Sequence, residues 1–126
     1  MNKGQSLPVW LAEQVQIQVA NGIKVSALAG KVHVVPEFLG NRAPHADPHT
    51  RAVIAGLGME RDLDSLVSLY VAGLCGIGYG LRQIVQSQDE AGAKIERIVI
   101  SGGAGRSDMV RQLLADATGL LAILHI

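Results

Sequence analysis

Residues 98–114 read IVISGGAGRSDMVRQLL. A β-branched apolar run meets three glycines within four positions, and an apolar period of three to four residues follows. That order spells a strand, a tight turn and a helix. The strand is expected over Ile95–Ile100. The helix carries Met109, Val110, Leu113, Leu114 and Ala117 and stops at Gly119, and Leu120–Ile126 reads as a second strand. A strand that returns after a helix is set up for parallel pairing, because a hairpin turn leaves no room for a helix. Upstream, Leu63, Leu66, Tyr70, Leu74, Ile77, Leu81 and Ile84 step by three or four over Asp62 to Gln88, one long apolar stripe. Asp89–Lys94 breaks it, with Gly92 as the turn. The second half is therefore helix, strand, helix, strand, the pattern of a layered α/β domain.

The first half is less regular. Ser6-Leu7-Pro8 can open a helix, with Ser6 as cap and Pro8 in the first turn. Trp10, Leu11, Val15 and Val19 follow at roughly helical spacing, and Asn21-Gly22 ends it. Val32–Val35 reads as a strand that Pro36 stops. Residues 37–57 hold two prolines, two glycines and no sustained period, with a short strand expected at Ala52–Ala55. A long irregular loop inside a domain is usually a functional one.

The 126 residues suffice for one domain. Lys plus Arg equals Asp plus Glu at 11 each, so no net charge favours nucleic acid or an anionic membrane. Aromatics at 3 % leave little for base stacking. One cysteine, Cys75, permits no internal disulfide and fits a reducing, cytoplasmic setting. The N-terminus has no signal-peptide core. The apolar stretch Leu63–Val85 is long enough to span a membrane, but it carries Asp64, Ser65, Ser68, four glycines and Arg82 and is read as a buried helix. The chain stops within the strand-like GLLAILHI, as a truncated domain would.

Two glycine-rich stretches compete as nucleotide loops. GLCGIGYG, residues 73–80, lies inside a helical pattern without a following lysine-serine pair, so Gly73, Gly76 and Gly80 are read as one face for close helix packing. SGGAGRSD, residues 101–108, has the right context. A strand delivers Gly102 and Gly103 at its carboxyl end, where α/β sheets bind ligands, and a helix N-terminus follows. On spacing alone this is either a nucleotide site or a tight turn capped by Ser107 or Asp108. HADPH, residues 45–49, with His33 and His125 elsewhere, gives no geometry for a metal site. Asp47-Pro48 reads as a turn with Asp47 accepting backbone N–H bonds, flanked by Arg42 and Arg51 as candidate ion-pair partners. Cys75 is read as a buried small hydrophobe.

Taken together, VVPEFLGNRAPHADPHTRAVIAGL, a long helix, and IERIVISGGAGRSDMVRQLLADATG resemble the C-terminal domain of the FGGY carbohydrate kinases over about residues 31–121. The GNRAP and ADP wording is most like the pentulose (ribulokinase) branch. Residues 1–30 form a helical segment without a clear match, and 31–126 a truncated ATP-binding domain. The resemblance implies a partial actin-like ATPase (ribonuclease H-like) fold. It also implies a parent enzyme that moves the γ-phosphate of ATP, with Mg2+, to a sugar or polyol hydroxyl. In that family the glycine segment packs against adenosine, which places Gly102, Gly103 and Ala104 under the ring and Ser107 at its edge. Asp116 and Gly119 match a structural helix end, and Asn41, Arg42, Asp47 and Arg51 fall on a loop that shapes the cleft. The family's catalytic aspartate, its phosphate motif and its sugar-binding domain belong upstream and have no counterpart here. Ala52 stands where a glycine is usual, and Cys75 where an acid or amide is common. The resemblance thus implies an inactive fragment that contributes the adenosine side. The alternative is a non-catalytic nucleotide-binding or interaction module of the same fold. Bare apolar surface is expected to drive self-association.

Overall fold

A computed structural model describes residues 4–125. Helix α1 spans Leu7–Ala20, a 3-10 turn Val25–Ala29 follows, and β1 covers His33–Val35. Strand β2 is Val53–Ala55, α2 Leu63–Glu90, β3 Arg97–Ile100, α3 Asp108–Thr118 and β4 Leu121–Leu124, with a 3-10 turn Ala104–Arg106 before α3. β1 pairs antiparallel with β2, Val34 opposite Ile54. β3 pairs in parallel with β4, Ile98 opposite Ala122, which is the pairing that a strand–helix–strand unit requires. The expected strands are present but shorter: β3 begins at Arg97 rather than Ile95, β4 ends at Leu124, and the expectation for Ile126 lies outside the described residues.

One apolar cluster joins the halves. Leu11 and Val15 of α1 meet Val67, Val71, Ala72 and Cys75 of α2 and Met109, Leu113 and Leu114 of α3, with Ala29 from the 3-10 turn. Ser6 precedes α1 with extended backbone, but its side chain makes no capping bond. Asp62 caps α2 by accepting Ser65 N–H at 2.9 Å. Gly119 ends α3 in the left-handed conformation, as its position predicts.

The buried face of α2 only partly follows the stripe read from the sequence: Tyr70, Leu74 and Leu81 pack half-buried against the core, but the fully buried positions lie beside them. Val67, Val71, Cys75, Gly76 and Gly78 are buried, while Leu63, Leu66 and Ile77 are exposed. The reason is close approach. A Cβ on Gly76 would stand 2.2 Å from the Val34 carbonyl oxygen, and one on Gly78 would stand 3.0 Å from the Ala117 Cβ. These two small positions let β1 and α3 settle against α2, while Tyr70, Leu74 and Leu81 stay half-buried at the border of the core. Gly73 and Gly80, expected on the packing face, have open space at their Cβ positions. By length and composition α2 could cross a membrane; a third of its most apolar window is buried within the molecule.

Candidate functional site: a glycine turn at the carboxyl end of two parallel strands

β3 and β4 end side by side, and the His125 N–H bonds the Ile100 carbonyl at 2.9 Å, extending the pair past the last named residues. The chain leaving Ile100 turns at Gly102, whose φ of 82° suits glycine. Gly103 adopts the right-handed helical region, is exposed, and a Cβ there would meet nothing within 4 Å. Gly105 is different: it is buried, and a Cβ would lie 2.5 Å from the Ile100 carbonyl oxygen and 3.0 Å from Leu124. The three glycines therefore have three reasons. Backbone conformation demands Gly102, internal packing demands Gly105, and nothing within the chain demands Gly103.

Ser107 starts α3, and its Oγ accepts the Val110 N–H at 3.3 Å. Capping uses one lone pair of the hydroxyl and leaves its own hydrogen to donate elsewhere. Arg111 donates to the Gly105 carbonyl and to the Asp108 carboxylate. That ion pair is the single one among the described residues. Gly102, Gly103, Ala104 and Ser107 thus form a ledge between the end of β3 and the start of α3, exposed at the first three and half-buried at Ser107. The Arg111 clamp was not read from the sequence, although Asp108 and Arg111 lie three apart on a helix, a legible spacing.

The loop between β1 and β2 is built on Asn41, which is 7 % exposed. Its backbone exchanges hydrogen bonds with Asp47 at 2.7 and 2.6 Å. Its side chain donates to Glu37 and accepts from the His45 N–H at 3.0 Å. His45 in turn touches Gln83 of α2 at 3.1 Å. Asp47 does form the expected turn, accepting the His49 N–H at 2.8 Å. Its expected ion pairs with Arg42 and Arg51 are absent among the described residues. The short turn satisfies the carboxylate locally, and both arginines are exposed. Glu37, Asn41 and Arg42 line a cleft of about 1210 Å³ between this loop, β1 and α2; Asp47 and Arg51 do not. A smaller cleft of about 480 Å³ lies between α2, α3 and the first 3-10 turn. Neither cleft reaches Gly102, Gly103, Ala104 or Ser107. Cys75 borders both and is buried, and burial pushes its thiol pKa up.

No group of three or more metal-ligating side chains converges among the described residues. Beside the glycine ledge the nearest carboxylate in sequence, Asp108, is taken by Arg111. The residues present do not fit a magnesium site. The ledge offers exposed backbone, the Ala104 methyl group and the Ser107 hydroxyl.

Comparison with known proteins identifies the family and the fold. The model of the FGGY family of carbohydrate kinases, C-terminal domain, matches residues 3–124, a span that includes α1. An FGGY carbohydrate kinase domain-containing protein of Xenopus laevis is 33 % identical over 122 residues, covering 97 % of this chain and 22 % of the relative. A D-ribulokinase of Saccharomyces cerevisiae is 36 % identical over 96 residues, 76 % of this chain and 13 % of the relative. A glycerol kinase of Clostridium beijerinckii is 35 % identical over 91 residues, 71 % and 18 % of the two chains. Among solved structures, a "xyloylose kinase" of Brucella ovis superposes with TM-score 0.66 at 25 % identity, over 94 % of this chain and 25 % of that one. The chain belongs to the FGGY family of carbohydrate kinases, in the C-terminal domain, and its fold is part of an actin-like ATPase domain. It spans about a fifth of the length of the first relatives it matches.

Proposed function

We propose that this chain is the adenosine-holding part of an ATP-dependent sugar kinase, and that the glycine ledge is where the nucleoside lies. The observation that carries this is Gly103. Its side-chain direction is empty, its backbone is exposed, and no contact within the chain requires a glycine there. A flat ring set against the backbone supplies the missing reason, because a side chain would hold it off. Gly102 and Ala104 flank the ring face, and Ser107 offers its hydroxyl hydrogen at the edge.

In this reading the chain holds a substrate and performs no chemistry on it. Phosphoryl transfer needs a base within reach of the acceptor hydroxyl and cationic groups around the γ-phosphate. Those groups and the Mg2+ ligands would come from elsewhere in a full kinase. The chain alone is expected to be inactive. The GNRAP and ADP segments favour a pentulose as the sugar of the parent, which we place in the cytoplasm. We group residues 1–30 with 31–126 as one unit, since Leu11 and Val15 share a core with α2 and α3.

Calorimetric titration with ATP and magnesium tests the site beside Gly103→Arg. Saturable binding that the arginine abolishes is the expected result. Absence of binding at millimolar ATP would sink the adenosine reading for this chain. A coupled ADP-release assay with D-ribulose, L-ribulose, xylulose and glycerol is expected to show no turnover, and activity there would overturn the inactive reading.

A further inference from the structure

The glycine segment has few restraints of its own. Its 3-10 turn is closed by the Arg106 N–H to the Gly103 carbonyl and the Ser107 N–H to the Ala104 carbonyl, each at 3.2 Å. Gly102 and Gly103 are exposed and touch no packing neighbour at the Cβ position. Glycine leaves the backbone its widest conformational range, so an unrestrained ledge of this kind samples many shapes. Binding to such a ledge first has to order it, which costs affinity.

One side chain reaches back into the segment. Arg111, one turn into α3, donates from one guanidinium nitrogen to the Gly105 carbonyl and from the other to the Asp108 carboxylate. Asp108 is 91 % exposed, so the ion pair by itself contributes little. The guanidinium is a rigid planar fork, however, and fixing one N–H on Asp108 sets the direction of the other. That second donor meets the carbonyl of a buried residue packed on Ile100 and Leu124. The fork thereby joins Gly105, which follows directly on Gly102–Ala104, to the helix start across Arg106 and Ser107.

We propose that Arg111 is a positioning residue for nucleotide binding: by bridging Gly105 and Asp108 it holds Gly102–Ser107 in the shape that receives the ring. This rests on the adenosine reading above. In R111M the stem keeps its packing and both donors are lost. In the full 126-residue chain, the Arg106 and Ser107 amides are expected to exchange hydrogen about tenfold faster, with the β3 amides unchanged. The dissociation constant for ATP with magnesium is expected to rise about tenfold, the size of one lost charge-assisted hydrogen bond. R111K keeps the charge without the fork and should fall between the two on both readouts; it carries the test if R111M does not fold. A general loss of structure would instead speed exchange throughout the core and lower the unfolding midpoint in parallel. Unchanged exchange at Arg106 and Ser107 overturns the inference whatever the nucleotide does. Wild-type binding that R111M leaves intact overturns it and spares the adenosine reading, whereas no binding by the unaltered chain defeats both.

Discussion

Asp62 shows how much a single side chain does at the head of a 28-residue helix. Its carboxylate accepts the Ser65 N–H, and that backbone bond, with a smaller contribution from the Ser65 side chain, holds its pKa below the usual carboxylate value. A lowered folded-state pKa means that the stabilisation is fully present above the unfolded value, about 3.9. It is lost as the pH falls from there through the folded value. Asp62→Asn keeps an acceptor for the Ser65 N–H but no longer titrates. Urea unfolding midpoints measured from pH 6 down to pH 2 should therefore fall less steeply below about pH 4 in the variant than in the wild type. Identical acid limbs would mean that the cap does not titrate with folding. The same scale explains Cys75. Its neighbours are apolar, it was expected to be a small buried hydrophobe, and burial alone raises its thiol.

At the scale of elements, the glycines of α2 separate two roles that the sequence merges. Gly73, Gly76 and Gly80 lie three and four apart, so spacing assigns them to one face. Only Gly76 meets a neighbour, and that neighbour is the main chain of β1, which cannot rotate away. Gly76→Ala is expected to destabilise by about 1–3 kcal/mol through overpacking. Gly73→Ala has open space and is expected to stabilise by up to about 1 kcal/mol through helix propensity. Denaturant midpoints of the two variants should move in opposite directions; a shift of the same sign in both would contradict the packing assigned to Gly76. The contrast also marks how far the fold was legible. Elements and their order followed from periodicity, because α3 and β4 are local patterns separated by Gly119. The buried face of α2 was only partly legible: Tyr70, Leu74 and Leu81 do border the core, but its centre depends on which neighbours arrive from β1 and α3, and the smallest residues admit them most closely. The glycine ledge was legible as a turn in the right place. The separate reasons for Gly102, Gly103 and Gly105 were not, since the first rests on a positive φ, the second on empty space and the third on contacts with Ile100 and Leu124. The Asp47 ion pairs failed for a related cause: sequence proximity of Arg42 and Arg51 says nothing about competition from the His49 N–H two residues away.

At the scale of the molecule, the surface is too large for the mass. A folded monomer of 13.3 kDa is expected to expose about 6400 Å². This chain exposes 8854 Å². The excess of roughly 2400 Å² is comparable to a whole protein–protein interface, and large apolar groups supply part of it. Leu39 and Met59 are 95 % and 96 % exposed, Phe38 is 69 %, and Leu121 is 64 %. The two sheets have two strands each, so every named strand presents one unpaired edge. Such edges and patches are what further strands and helices cover in a complete domain. When this chain is alone, they can only meet solvent or another copy. Sedimentation velocity between about 1 and 100 μM should accordingly show weight-average mass rising with concentration. Sulfate should strengthen the association, since it favours apolar burial. A charge on the most exposed apolar sites, Leu39→Lys with Met59→Lys, should shift the rise to higher concentration without altering the unfolding midpoint, because neither side chain touches the core. A chain that stays monomeric throughout that range would show that the excess surface is tolerated in water, and would remove self-association as the outlet for these faces.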